Sequence, residues 1–152
     1  MASPPRAMDS ATLFEDTFEV AKLNPDGKKF DRVNRVVAKG ETFEVDLVLD
    51  VASEVYPLKV GDKFTLVLAS TLRLDGKPDE DSFNQDGKPT LLDQFEYGMC
   101  GTTFKFDHVR DNVVSVIASF GGLLMQLQGE QRHLIRVRMD QRVYCLLRRT
   151  TA

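Results

Sequence analysis

Apolar and polar residues alternate with a period of two along most of this chain. The clearest stretch is Phe43–Val51, where Phe43, Val45, Leu47, Leu49 and Val51 interleave with Glu44, Asp46, Val48 and Asp50. In a strand this order sends five large apolar side chains to one face and three acids to the other. A helix built from the same residues would scatter them around its cylinder. Burying the five stabilises the fold by roughly 1.5–3 kcal/mol each before chain entropy is subtracted. Weaker alternation marks Leu13–Val20 and Phe30–Ala38, separated by the turn residues Asn24-Pro25-Asp26-Gly27. Lys63–Ala69 follows Gly61-Asp62 and points Phe64, Leu66 and Leu68 to one side. Phe95–Met99 and Phe104–Phe106 each alternate, but out of phase across Gly101, which predicts a turn or bulge there. Gly121-Gly122 splits Val113–Phe120 from Leu123–Leu127, as in a tight hairpin. Ile135–Met139 and Val143–Arg148 complete the pattern. Some eight to nine short strands with Gly and Pro punctuation, and no long helix, predict an all-β protein: a closed barrel or a sandwich.

Two segments depart from the rhythm. Met1–Ala11 offers nothing that would order it and reads as a disordered leader to a single domain over 12–150. Leu72–Asp93 carries two Asp-Gly-Lys-Pro turns around an acidic centre, and reads as an exposed, mobile acidic loop. At 152 residues the domain can bury a core without disulfide or metal staples. Charge is distributed in blocks. Lys22–Lys39 holds six basic residues against two acids, Asp75–Glu96 two against seven, and Glu130–Ala152 six against two.

Familiar catalytic and metal centres fail on their residues. Gly121-Gly122 is followed by Leu123-Leu124-Met125 and lacks the lysine and hydroxyl of a phosphate-binding loop. His108 and His133 stand in charged, turn-like surroundings and read as surface histidines. Cys100, His108, His133 and Cys145 are spaced unlike any compact zinc site, and both cysteines read as reduced, buried thiols. The acidic run Asp79–Gly87 puts Phe83 where calcium needs an oxygen and offers no closing glutamate. No cofactor, metal, small-molecule substrate or membrane partner is therefore expected. The longest apolar run, Val113–Met125, is interrupted by two serines and two glycines and is shorter than the roughly 18 residues of a membrane span. With no secretory pattern at its start, the chain reads as a soluble intracellular protein.

Lys28, Lys29, Phe30, Arg32, Arg35 and Lys39 remain as candidate chemistry. Read as a strand after a turn, they place Arg32 on the even face and Arg35 on the odd one. Such a cluster suits non-specific single-stranded DNA, with the cations on phosphates and Phe30 stacking on a base. The plainer alternative is a solvated strand edge blunted by lysine.

Taken together, several blocks resemble the small eighth subunit common to the eukaryotic nuclear RNA polymerases I, II and III. They are Leu13–Phe18, Asn24–Val33, Tyr56–Phe64, Ala69–Leu72, Asp93–Tyr97, Ser119–Met125 and Arg142–Tyr144, in order and at compatible spacings. Cys100 and Thr102-Thr103 depart from the family's pattern, as does the arginine-rich stretch before Asp140. The resemblance implies an eight-stranded antiparallel barrel of oligonucleotide-binding-like, Greek-key topology with a large Ω-loop over 72–93. It implies a nuclear location, nucleolus included, and a non-catalytic role in polymerase assembly, with the largest subunit as main partner. It also places single-stranded DNA binding in Asn24–Val48. For docking, the hairpin residues Gly121, Gly122, Leu123, Leu124 and Met125 are candidates together with Tyr97, against core packing as the plainer role of the leucines and methionine. The other functional reading is a free-standing single-strand-binding barrel.

Overall fold

The computed structural model describes residues 12–25, 27, 32–72 and 90–150. They form eight antiparallel strands: β1 (Thr12–Leu23), β2 (Val33–Gly40), β3 (Asp46–Ala52), β4 (Lys63–Ala69), β5 (Tyr97–Arg110), β6 (Val113–Phe120), β7 (Leu123–Glu130) and β8 (Arg142–Arg149). The sheet closes on itself in the order β1-β2-β3-β7-β6-β5-β8-β4. Three strands run as a meander, three return beside it in reverse, and β8 and β4 complete the ring. That order is a Greek key of the oligonucleotide-binding kind and not an up-and-down barrel. Closure removes the unpaired edges that an open sheet would expose.

Alternation explains the interior. Val45, Leu47, Leu49 and Val51 are fully buried, with Phe18, Phe64, Leu66, Leu68, Val114, Val116, Met125, Leu127 and Leu147 among their neighbours in one core. Phe43 is only partly buried, because the backbone turns at Glu44 (φ 55°) before β3 begins. Rings run in a chain through the core: Phe64 stacks on Phe18 at 5.9 Å, and Phe14 lies 6.2 Å from both Phe18 and Phe43.

Strand β4 is buried on both faces. Its outer side chains, Val67 and Ala69, form a second small core with Leu146, Leu91, Leu72, Phe95 and Tyr144. A 3-10 turn at Leu91–Gln94 holds Leu91 there, and the Leu91 amide donates to the Leu72 carbonyl at 2.8 Å. The two ends of the long connection are thereby tied together over the β4–β8 face. Its acidic centre, like the leader before Thr12, lies outside the described residues.

Three local expectations are corrected. Phe95–Met99 and Phe104–Phe106 are not separate strands: β5 runs unbroken through Gly101, and its register shifts fall at Thr103/Lys105 and His108/Arg110. Gly101 is needed because a Cβ there would meet the Ser119 carbonyl oxygen and the Phe120 ring. Ile135–Met139 is not a strand. A 3-10 turn at Gln131–His133 leads into a lid that buries Leu134 and Val137 against the core and leaves Ile135 and Met139 exposed. Finally, Cys145 is buried in the core while Cys100 is exposed.

Candidate functional site

The β2–β3 hairpin carries the described part of the basic cluster. Asp16 of β1 sets its connecting turn, accepting the amides of Thr42 (3.2 Å) and Phe43 (3.1 Å) in addition to that of Thr17. The carboxylate is buried against Gly40, where a Cβ would approach its Oδ2 to 2.5 Å. With the turn fixed, the register follows: Arg35 stands opposite Asp50 and Lys39 opposite Asp46. Each described cation then finds an acid. Arg35 Nε and Nη2 donate to Asp50 Oδ1 and Oδ2 at 2.8 and 3.0 Å, Lys39 lies 3.7 Å from Asp46, and Arg32 lies 3.4 Å from Glu54. The two exposed pairs, Lys39–Asp46 and Arg32–Glu54, add little stability, but they oppose the positive field that the linear sequence suggests.

Arg32 also sits elsewhere than the strand alternation places it. Its φ of 65° puts it in the turn before β2, so only Arg35 and Lys39 share the outer face of the strand. Lys28, Lys29 and Phe30 lie outside the described residues.

Asp50 is the site residue that sequence reasoning misses. Alternation assigns it to solvent, yet it is 3% exposed. Besides the two donors of Arg35 it accepts the Leu124 amide at 3.0 Å, just beyond the Leu49–Met125 pair where the β3–β7 ladder ends. One carboxylate thus continues the sheet by side-chain bonding where backbone pairing stops.

The β6–β7 hairpin turns through Gly121 (φ 65°) and Gly122 (φ 100°), the two left-handed positions of a type I′ turn. Around it the docking candidates separate by burial. Met125 is fully buried, Leu123 packs partly against the core, and Leu124 is exposed on the outer face. Tyr97 belongs to the interior of the same barrel end. Its ring stacks on Tyr56 at 5.2 Å, and its hydroxyl accepts the Ala52 amide at 3.1 Å. Of these six residues, Leu124 and the two glycines are the exposed ones.

Tyr56 closes this end of the barrel. Its hydroxyl donates to Glu96 at 2.7 Å, and the Arg149 guanidinium lies 4.4 Å above its ring. Burial, reinforced by the Glu96 carboxylate, pushes the Tyr56 phenol well above the ordinary tyrosine range. The Arg149 amide and the Tyr56 hydroxyl hold Glu96 below the usual carboxylate range. At the opposite end His133 is half-buried, not a free surface residue, and stacks on Phe43 at 4.4 Å. Among the described residues no three His, Cys, Asp or Glu side chains gather as metal ligands, and no helix is long and apolar enough to cross a membrane.

A closed barrel plugged by side chains at both ends, with its distinctive residues on hairpins and outer faces, defines an all-β domain of oligonucleotide-binding-like topology. Its sequence matches the family model for RNA polymerase Rpb8 over residues 15–149, and the chain belongs to that family. A Dictyostelium discoideum protein described as the rpabc3 subunit of DNA-directed RNA polymerases I, II and III is 47% identical over 141 residues, covering 92% of this chain and 99% of its own. An Arabidopsis thaliana protein described as subunit 8B of RNA polymerases II, IV and V is 50% identical over 140 residues, covering 90% and 95%. The Saccharomyces cerevisiae subunit RPABC3 of polymerases I, II and III is 36% identical over 148 residues, covering 92% and 99%.

Proposed function

We propose that this protein is a non-catalytic subunit shared by RNA polymerases I, II and III, docked chiefly on the largest subunit. The observation that carries the reading is the family match over residues 15–149, supported by relatives that align over nearly their whole length and are named as shared polymerase subunits. On this reading the chain works in the nucleus, nucleolus included, and the polymerase active site lies in other subunits. The β6–β7 hairpin supplies part of the docking surface through Gly121, Gly122 and Leu124, while Leu123 and Met125 anchor it on the core and Tyr97 packs inside on Tyr56. Affinity purification of the tagged chain from nuclear extract is expected to recover all three polymerases; recovery of none would sink the reading.

A second activity, non-specific single-stranded DNA binding by the segment Asn24–Val48, rests on Lys28, Lys29 and Phe30 with Arg32 and Lys39. Arg35 is engaged by Asp50 and serves the fold first. Binding that weakens steeply with salt and is abolished when Lys28, Lys29, Arg32 and Lys39 become glutamate supports this activity. An unchanged isotherm for that variant rejects it.

A further inference from the structure

Strand β5 contains two irregularities, and each extrudes an apolar residue. Thr103 pairs with Ala118 and Lys105 with Ile117, so Phe104 is the extra residue of the first bulge; Val109 is the extra residue of the second, between His108 and Arg110. Bulges re-aim side chains, and here Phe104 is left 48% exposed. Packing within the barrel gives no reason for an aromatic ring at that position.

The lid following β7 brings more of the same chemistry beside it. Thr103 is fully buried and acts as a clasp: its amide donates to Gln141 O at 2.9 Å, its carbonyl accepts the Asp140 amide at 2.9 Å, and its hydroxyl donates to Arg138 O. Arg142 stands opposite Thr102 in the β5–β8 ladder. These bonds hold Met139, 50% exposed, and the exposed Arg138 and Arg142 next to the Phe104 bulge. Neither arginine forms an ion pair with a described residue, whereas Lys105 is 3.5 Å from Asp107 and Arg132 is 2.7 Å from Glu130.

Phe, Met and Arg are the residue types enriched where proteins meet. Two uncompensated guanidiniums beside a phenyl ring and a thioether complement an acidic segment that also carries an apolar side chain. A nucleic-acid strand fits less well. It calls for a track of cations along its phosphates, and Lys105, the cation next to Phe104 in sequence, is already paired with Asp107. We infer that Phe104, Met139, Arg138 and Arg142 form a docking site for an acidic, partly apolar segment of another protein in the polymerase assembly. This rests on the polymerase-subunit reading and adds a surface separate from the β6–β7 hairpin.

The test places a photo-crosslinking benzoylphenylalanine at position 104 of the tagged chain and maps its products in purified polymerase. Attachment to a protein segment with Asp or Glu within a few residues is expected. Attachment to nucleic acid, to a segment without acids, or to nothing overturns the site. In parallel, the variants F104A/M139A and R138E/R142E are expected to lower co-purification of polymerase subunits at least about tenfold, with the melting temperature of the isolated barrel unchanged. Undiminished co-purification of both variants overturns the site and leaves the polymerase reading intact. Failure of the unmodified chain to co-purify overturns that reading itself.

Discussion

The guanidinium of Arg35 and the carboxylate of Asp50 meet in a two-pronged ion pair across the β2–β3 ladder, and the same carboxylate holds the Leu124 amide of β7. Three strands are therefore joined through one buried acid. Replacing it removes the carboxylate that Arg35 grips with two donors and leaves the Leu124 amide without this acceptor. We expect Asp50→Ala to destabilise the barrel by about 2–3 kcal/mol, read from urea unfolding. A loss below about 0.5 kcal/mol, the scale of an ordinary surface change, would contradict this account.

Gly101 tests the close approach of β5 and β6. An added methyl group would press on the backbone carbonyl of Ser119, which no rotamer change relieves. Gly101→Ala is expected to cost about 2–3 kcal/mol or to force a visible shift of the β5–β6 register. By contrast, a methyl at Gly122 meets open space, and substitution there carries only the strain of a left-handed backbone, about 1 kcal/mol. Equal losses at the two positions would argue against the close approach of β5 and β6.

Tyr56 gives the barrel a sensitivity to alkali. Its folded phenol is raised above the unfolded value, so the folded state keeps a proton that the unfolded chain releases. The resulting contribution is complete below about pH 10, the unfolded tyrosine value, and declines as pH rises beyond it. Tyr56→Phe removes the ionisable group and should flatten this decline between pH 10 and 11, while weakening the fold at neutral pH through the lost Glu96 bond. A variant whose stability falls with the same slope as the parent would show that another group is responsible.

The two cysteines differ in reactivity because they occupy different environments. Burial pushes the Cys145 thiol up to about 12, and Cys100 is exposed. A thiol reagent at neutral pH should modify one sulfur per folded chain and two after denaturation, and Cys100→Ser should leave the folded protein unreactive. Rapid modification of the folded Cys100→Ser variant would disprove the assignment.

The sequence by itself determined which side chains face inward along most strands. At Phe43–Val51, Lys63–Ala69 and Val113–Phe120 alternation is a local property, since successive Cβ atoms leave a strand on opposite sides whatever lies beside it. The Gly121-Gly122 turn was legible for a similar reason, as both residues must take positive φ. Order and neighbours are a different matter. Val45 is buried in the phase expected of it, but nothing near Asp50 announces Arg35 on one side and Leu124 on the other, the latter 74 residues away. For the same reason the basic stretch from Lys22 to Lys39 looks uniformly positive when read linearly, whereas β3 brings Asp50 opposite Arg35 and Asp46 opposite Lys39. At Ile135–Met139 alternation misled, because Leu134 and Val137, three apart, are the pair that a turn crossing the barrel mouth buries. The phase change near Gly101 signalled a turn or bulge, but the bulges fall at Phe104 and Val109, because register belongs to two strands at once. Local periodicity decided in from out; tertiary pairing decided which charges cancel and which surfaces are left for a partner.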